Sequence, residues 1–142
     1  EFRRVLFRSP IEILTGLLVR GVGDRARVRV QLPVIAADES EPEPDLAVVP
    51  PRSYAKRHPD EVFLVVEVAA SSLKKDRDVK APLYAASGFP EYWLVDVRAR
   101  RVEVFRRPAR EAYADVSSHG LGSRISPVAF PDVDLSISAL FE

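Results

Sequence analysis

Residues 62–69, VFLVVEVA, are apolar at every position but one. A near-continuous apolar run of this length is what a central strand needs when both of its faces are covered. The rest of the chain must therefore supply a layer for each side of a sheet. The one exception in the run is Glu67. A carboxylate among such neighbours is costly unless it is paired, hydrogen-bonded or bound to a metal. Twenty-two residues earlier, Pro44-Asp45 opens a second apolar segment at 46–49, placing another carboxylate at the start of an expected neighbour strand. Two readings follow: a site for a divalent cation, or an ion pair with one of the many arginines.

At 142 residues the chain has room for one domain with a real core. No apolar run approaches the ~20 residues that span a bilayer, and no segment has the pattern of a secretory signal. The chain has no Cys, which excludes disulfides and thiolate metal sites and agrees with a cytoplasmic location. The formal net charge is zero, so bulk charge gives no support to a strong non-specific nucleic-acid binder. A local patch remains open. Arg98, Arg100, Arg101, Arg106, Arg107 and Arg110 fall within 13 positions, to be read as a nucleic-acid contact or as the solvated face of a hairpin.

Residues 1–9, EFRRVLFRS, correspond to the codons GAG TTC AGA CGT GTG CTC TTC CGA TCT, the end of a common short-read sequencing adapter, and the chain contains no Met. They are set aside as foreign. The remaining 10–142 are expected to form a single domain that lacks its amino-terminal part, with 18 basic and 20 acidic residues.

Along the chain, Ile11, Leu14, Leu17 and Leu18 recur at helical spacing and predict a helix over 10–20, opened by Ser9 or Pro10 and ended by Gly21 and Gly23. Residues 26–34 alternate, with Ala26, Val28, Val30 and Leu32 on one face, as in a half-exposed strand. Residues 38–44 and 52–61 are loops. A helix capped by Ser71 or Ser72 runs toward Ser87 and Gly88, with Pro82 forcing a kink or a late start. Strands follow at 91–97, 101–106 and 113–116, with Asp96 ending the first in a turn. Leu135, Ile137, Leu140 and Phe141 form a docking helix. The order predicts a mixed α/β sheet.

Most catalytic signatures are absent. His58 and His119 lack metal-ligand spacing and are expected in surface loops, and there is no GxSxG elbow, Walker loop or dinucleotide fingerprint. Asp45, Glu67 and Lys80 remain. Hydrolysis of a phosphodiester needs charge neutralisation and an activated water, and carboxylate-held Mg²⁺ supplies both. The backbone of Glu67 or Val68 could complete the coordination, and an ammonium at Lys80 could orient the water or stabilise negative charge. Asp76, Lys80 and Tyr84 are spaced by four and share a helix face. The plain alternatives are a surface ion pair for Asp76–Lys80 and core packing for Tyr84.

The segments EPEPDLAVVP at 41–50, LVVEVAASS at 64–72, Asp76, Lys80 and LYAASGFPEYWLVD at 83–96 resemble the Uma-two family, bacterial proteins of the PD-(D/E)xK restriction-endonuclease fold. The resemblance covers residues 26–107. It implies a restriction-endonuclease-like mixed central sheet flanked by helices, with an added carboxy-terminal hairpin and short helix. It also implies a metal-dependent endonuclease acting on nucleic acid, expected to be DNA, with Mg²⁺ or Mn²⁺ as cofactor. Asp45 and Glu67 become the metal ligands and Lys80 the catalytic lysine. Asp76 and Tyr84 support them, and Arg98, Arg100 and Arg101 are candidates for nucleic-acid contact. Tyr92 and Trp93 match the family pattern too and are expected to pack beside the sheet. Two departures stand out. The usual lysine position, two after Glu67, is Ala69, so Lys80 is a displaced lysine. The acidic residue of an amino-terminal helix would precede residue 10, with Glu12 as a candidate substitute. The alternative to an enzyme is an inactive binding module on the same fold. The likeness also raises the expectation of a homodimer, with the hairpin at 91–107 as a candidate contact.

Overall fold

The computed structural model describes residues 9–142. Positions 1–8 of the segment set aside as foreign lie outside the described residues. Ser9 belongs to the fold: its hydroxyl accepts a hydrogen bond from the Glu12 N–H at 3.2 Å and caps helix α1, Pro10–Val22. Pro10 takes the first turn, where a missing N–H costs nothing. The helix buries Ile13, Leu14, Leu18 and Val22 along one stripe. It also runs through Gly21, against the expectation that this glycine ends it. A Cβ at Gly21 would meet Val133 Cγ1 at 2.8 Å, so glycine here allows a close approach rather than a stop. The stop is Gly23, at φ 57°, followed by a 3₁₀ turn, Gly23–Arg25.

Six strands form one sheet in sequence order: β1 Arg27–Val30, β2 Leu46–Val49, β3 Leu64–Ala69, β4 Glu91–Asp96, β5 Arg101–Ala109 and β6 Ala112–His119. All neighbours are antiparallel except β3 and β4. A parallel pair cannot be closed by a tight turn. The chain between β3 and β4 crosses over through a helical stretch: α2, Leu73–Lys75, a π-helical turn, Asp76–Lys80, and α3, Ala81–Ala86. The π turn stands directly before Pro82, where a kink or a late start was expected.

The sheet is covered on both sides, as the run at 62–69 requires. On one face Val48, Leu64, Val66, Trp93 and Val95 pack against Leu14 and Leu18 of α1 and against Ile137 and Leu140 of the carboxy-terminal segment. On the other, Ala47, Val65, Tyr92, Leu94 and Phe105 pack against Tyr84 and Ala85 of α3. Tyr92 therefore lies under the crossover helix and Trp93 on the α1 side, both fully buried.

Several expectations need correction. Pairing in β1 stops at Val30, because Gln31 adopts φ 52° and turns its N–H to the Asp45 carbonyl at 3.1 Å. Val30 and Leu32, assigned to the apolar face, are exposed. Ser72 precedes α2 but makes no backbone cap; its hydroxyl donates to Asp76 Oδ2 at 3.1 Å. In the tail, Leu135 lies in a two-stranded sheet of β7, Arg124–Ile125, and β8, Leu135–Ser136, and only Ser138–Phe141 is helical, as a 3₁₀ turn. His119 ends β6 rather than lying in a loop. The β4–β5 hairpin lies inside the sheet between β3 and β6, so it has no open strand edge to offer a second copy.

Candidate active site

Alternation along a strand sends every second side chain to the same face. Glu67 shares the crossover-helix side with Val65, and Asp45, two before Ala47, shares it as well. Because β2 runs antiparallel to β3, the start of β2 and the end of β3 meet at one end of the sheet. Backbone and carboxylates interlock there. The Val68 N–H donates to Asp45 Oδ2 at 2.7 Å, and the Asp45 N–H reaches Glu67 Oε1 at 3.4 Å.

The helical stretch closes the site from above. Tyr84 Oη donates to Glu67 Oε2 at 2.7 Å, and Lys80 Nζ lies 3.3 Å from that same oxygen. Lys80 Nζ is also 3.2 Å from Asp76 Oδ1. That contact is an ion pair, and among the described residues Asp76 Oδ1 is a buried oxygen with no hydrogen-bond partner. The other Asp76 oxygen accepts from Ser72, and its carbonyl accepts from Tyr92 Oη at 3.2 Å. Asp76 is 2% exposed and Glu67 3%, so Asp76–Lys80 is not the surface pair that spacing alone allows. Tyr84 both fills the core and supplies a hydrogen bond.

Electrostatics follow the burial. Desolvation raises the pKa of Glu67 and outweighs the Tyr84 hydrogen bond and the Lys80 charge, while the nearby Asp45 charge pushes in the same upward direction. Desolvation lowers that of Lys80, but Glu67 and Asp76 more than offset it, so the ammonium stays protonated above its ordinary range. Burial, followed by the negative charge of Glu67, drives the Tyr84 phenol far upward, so it serves only as a hydrogen-bonding hydroxyl.

The donor set limits which ion could sit here. Among the described residues no group of three or more His, Asp or Glu side chains could hold a metal, so a closed protein cage is not on offer. A two-carboxylate set fits a hard cation that keeps several waters and leans on substrate phosphate, which is the behaviour of Mg²⁺. Asp45 Oδ2 is taken by Val68 and Glu67 Oε2 by Tyr84 and Lys80. The remaining oxygens, Asp45 Oδ1 and the loosely contacted Glu67 Oε1, are the ones such an ion would use. Glu12 lies on the first turn of α1, beside Thr15, Val30 and Gln31 in a cleft of about 390 Å³. The Gln31 backbone connects that cleft to Asp45.

The arginine cluster divides. Strand β5 sets Arg101 and Arg106, five residues apart, about 16 Å from each other at ~3.3 Å per residue. Arg98 and Arg100 sit exposed in the turn after β4, at the same end of the sheet as Glu67, because Ala69 pairs with Asp96. Asp96 closes that turn by accepting the Ala99 N–H at 3.0 Å. Arg101 bonds Ser118 along the hairpin, its Nε donating to Oγ at 2.8 Å. Arg106 lies toward the far end of β5 and is no surface residue of a common patch. Its Nε donates to Glu91 Oε2 at 2.9 Å. Glu91, fully buried, also receives Trp93 Nε1 at 2.7 Å and the Val128 N–H at 2.8 Å. Sequence reasoning missed this network. Its one available signal was a carboxylate opening the apolar run at 92–95.

The model of the Uma2 family, described as "Putative restriction endonuclease", matches residues 11–138. The chain belongs to that family. Among solved structures it is similar to one titled "a putative nuclease belonging to DUF820", from Anabaena variabilis ATCC 29413. The TM-score is 0.75 at 19% identity, over 93% of this chain and 78% of that one. At such identity the likeness shows the fold, a mixed sheet with helices on its flanks. No curated protein matches the chain.

Proposed function

Starting from a chain of the Uma-two family with this site, we propose a metal-dependent endonuclease that hydrolyses phosphodiester bonds of DNA. The observation that carries the reading is the convergence of Asp45, Glu67 and Lys80 at one end of the sheet, with Lys80 reaching Glu67 from the crossover helix at 3.3 Å. The displacement of the lysine from the strand to the helix leaves its ammonium at the carboxylate all the same.

Each residue has a part. Asp45 and Glu67 would hold Mg²⁺ or Mn²⁺ through the oxygens that Val68, Tyr84 and Lys80 leave open. When bound, the ion supplies charge neutralisation at the phosphate and lowers the pKa of water. Tyr84 fixes the rotation of the Glu67 carboxylate by holding Oε2. Lys80, cationic across the neutral range, stabilises negative charge developing on the phosphate. Arg98 and Arg100, exposed at the same end, would contact the nucleic-acid backbone. The proposal extends to the cytoplasm as the place of action and to a homodimer as the form that cuts both strands.

A second reading is a binding module on the same fold, favoured by the Lys80 ammonium that already lies against Glu67. Cleavage of plasmid DNA with Mg²⁺ or Mn²⁺, beside Glu67→Gln, decides between them. The nuclease reading expects metal-dependent cleavage that the variant loses. Cleavage of equal rate in the variant would overturn the site, and nucleic-acid binding without cleavage by the folded parent would establish the module.

A further inference from the structure

The π turn Asp76–Lys80 ends one residue before Ala81 and two before Pro82. Such turns are rare and occur mostly as single bulges, frequently at functional sites. Its defining bond is present: the Ala81 N–H donates to the Asp76 carbonyl, five residues back. The cause is legible in Pro82. In a regular α-helix residue 82 would donate to the carbonyl of Asp78, but proline has no N–H, and its ring collides with the carbonyl four residues earlier. Widening the preceding turn moves that carbonyl aside. The freed geometry is then pinned by Tyr92, whose hydroxyl donates to the Asp76 carbonyl at 3.2 Å.

The widening changes which side chains stand above one another. Four residues of α-helix overshoot a full turn by about 40°, so three residues spaced by four drift by about 80° in total. A π turn, at roughly 4.4 residues per turn, undershoots over four residues by about 30°. With the π turn between residues 76 and 80 and α-helix between 80 and 84, the two offsets nearly cancel. Asp76, Lys80 and Tyr84 then stand in one column. The contacts fit this arrangement: Lys80 and Tyr84 meet the same Glu67 oxygen, at 3.3 and 2.7 Å, and Asp76 Oδ1 lies 3.2 Å from Lys80.

We propose that Pro82 is a positioning residue that, by imposing the π turn, brings the Lys80 ammonium into register with Glu67. It touches no reacting atom and acts through Lys80. The inference rests on the reading of Lys80 as the charge-stabilising group of a nuclease, but its structural half stands apart from that reading.

The test is Pro82→Ala in the full chain, followed by a crystal structure and by steady-state cleavage of DNA with Mg²⁺. The substitution restores the N–H and removes the ring. The expected structure has α-helical hydrogen bonds through residues 76–82, including one from the restored N–H at position 82 to the Asp78 carbonyl. Lys80 Nζ should be drawn away from Glu67, beyond the roughly 4 Å over which such charges couple strongly. The expected kinetics are kcat lowered about tenfold, equivalent to about 1.4 kcal/mol on the barrier, with KM unchanged and thermal stability equal or higher, a combination that general loosening does not give. A variant that keeps the π turn and the 3.3 Å contact overturns the proposal, and so does one that loses the turn at unchanged kcat. If the parent cleaves nothing, the nuclease reading falls, while the crystal structure still decides whether Pro82 sets the register.

Discussion

Two buried glutamates lie on the adjacent parallel strands β3 and β4, and they are built to opposite ends. Glu91 is 0% exposed, and both of its oxygens are held: Oε2 by Arg106 and Trp93, Oε1 by the Val128 N–H. Glu67 is nearly as buried, but its bonds are one-sided. Tyr84 and Lys80 share Oε2, while among the described residues Oε1 has only the long 3.4 Å contact from Asp45 and stands beside a second carboxylate. A buried carboxylate with every acceptor filled locks strands and loops together. One that is half filled, with another negative group at its open side, keeps an acceptor that the cation of the proposed function would occupy. Burial alone does not tell the two apart; the distribution of donors around the oxygens does.

The largest effects should separate them. Glu67→Gln should lower metal-dependent cleavage by about 10³-fold or more, the scale on which charge-stabilising catalytic groups act, and leave the melting temperature within a few degrees, because an amide can still accept from Tyr84. Glu91→Gln should do the reverse. Weakening a buried pair whose arginine is about one-third exposed should cost about 2–4 kcal/mol, read by urea unfolding, with kcat per folded molecule unchanged. Loss of activity in both variants, or in neither, would erase the contrast.

Tyr84→Phe sharpens it further. The ring still fills the core, but Glu67 loses a donor, and about 1–2 kcal/mol of stability should go with it. Cleavage should weaken through loss of metal affinity, measured as a higher Mg²⁺ concentration for half-maximal rate.

The pH dependence of stability carries a sign specific to Glu67. Burial raises its pKa above the unfolded carboxylate value, so the folded state takes up the proton more readily than the unfolded one. Its contribution to stability is fully present below the unfolded pKa and is lost as pH rises through the raised folded value. Urea unfolding across the mildly acidic to neutral range should show this loss in the parent and not in Glu67→Gln. An identical pH profile in the two would remove the desolvation argument.

The smallest effect is on nucleic-acid affinity. Replacing Arg98 and Arg100 by Ala should reduce the slope of log K against log salt by about 1–2. Replacing Arg107 and Arg110, at the other end of β5, should leave it unchanged. Fluorescence anisotropy with labelled duplex DNA over a salt series measures both.

Much of this was legible from the chain. The apolar run around Glu67 announced a two-sided sheet. The four-residue spacing of Asp76, Lys80 and Tyr84 announced a shared face, although the spacing works only because the π turn corrects the drift. The misses have physical reasons. The end of β1 depends on the backbone of Gln31, which no side-chain pattern encodes. Gly21 looked like a stop because its partner, Val133, is 112 residues distant in sequence. The arginine cluster looked compact because closeness in sequence is not closeness in space along an extended strand. The Glu91 network needed Val128, from a loop that periodicity does not place.

The central claim is that Asp45 and Glu67 together form a cation site and that Glu91 does not. Isothermal titration with Mn²⁺ tests it, using the parent, Asp45→Asn, Glu67→Gln and Glu91→Gln, each shown to be folded. The account predicts one saturable site in the parent and in Glu91→Gln, abolished in each of the other two. Binding that survives both Asp45→Asn and Glu67→Gln, or a folded parent that binds no Mn²⁺, would contradict it.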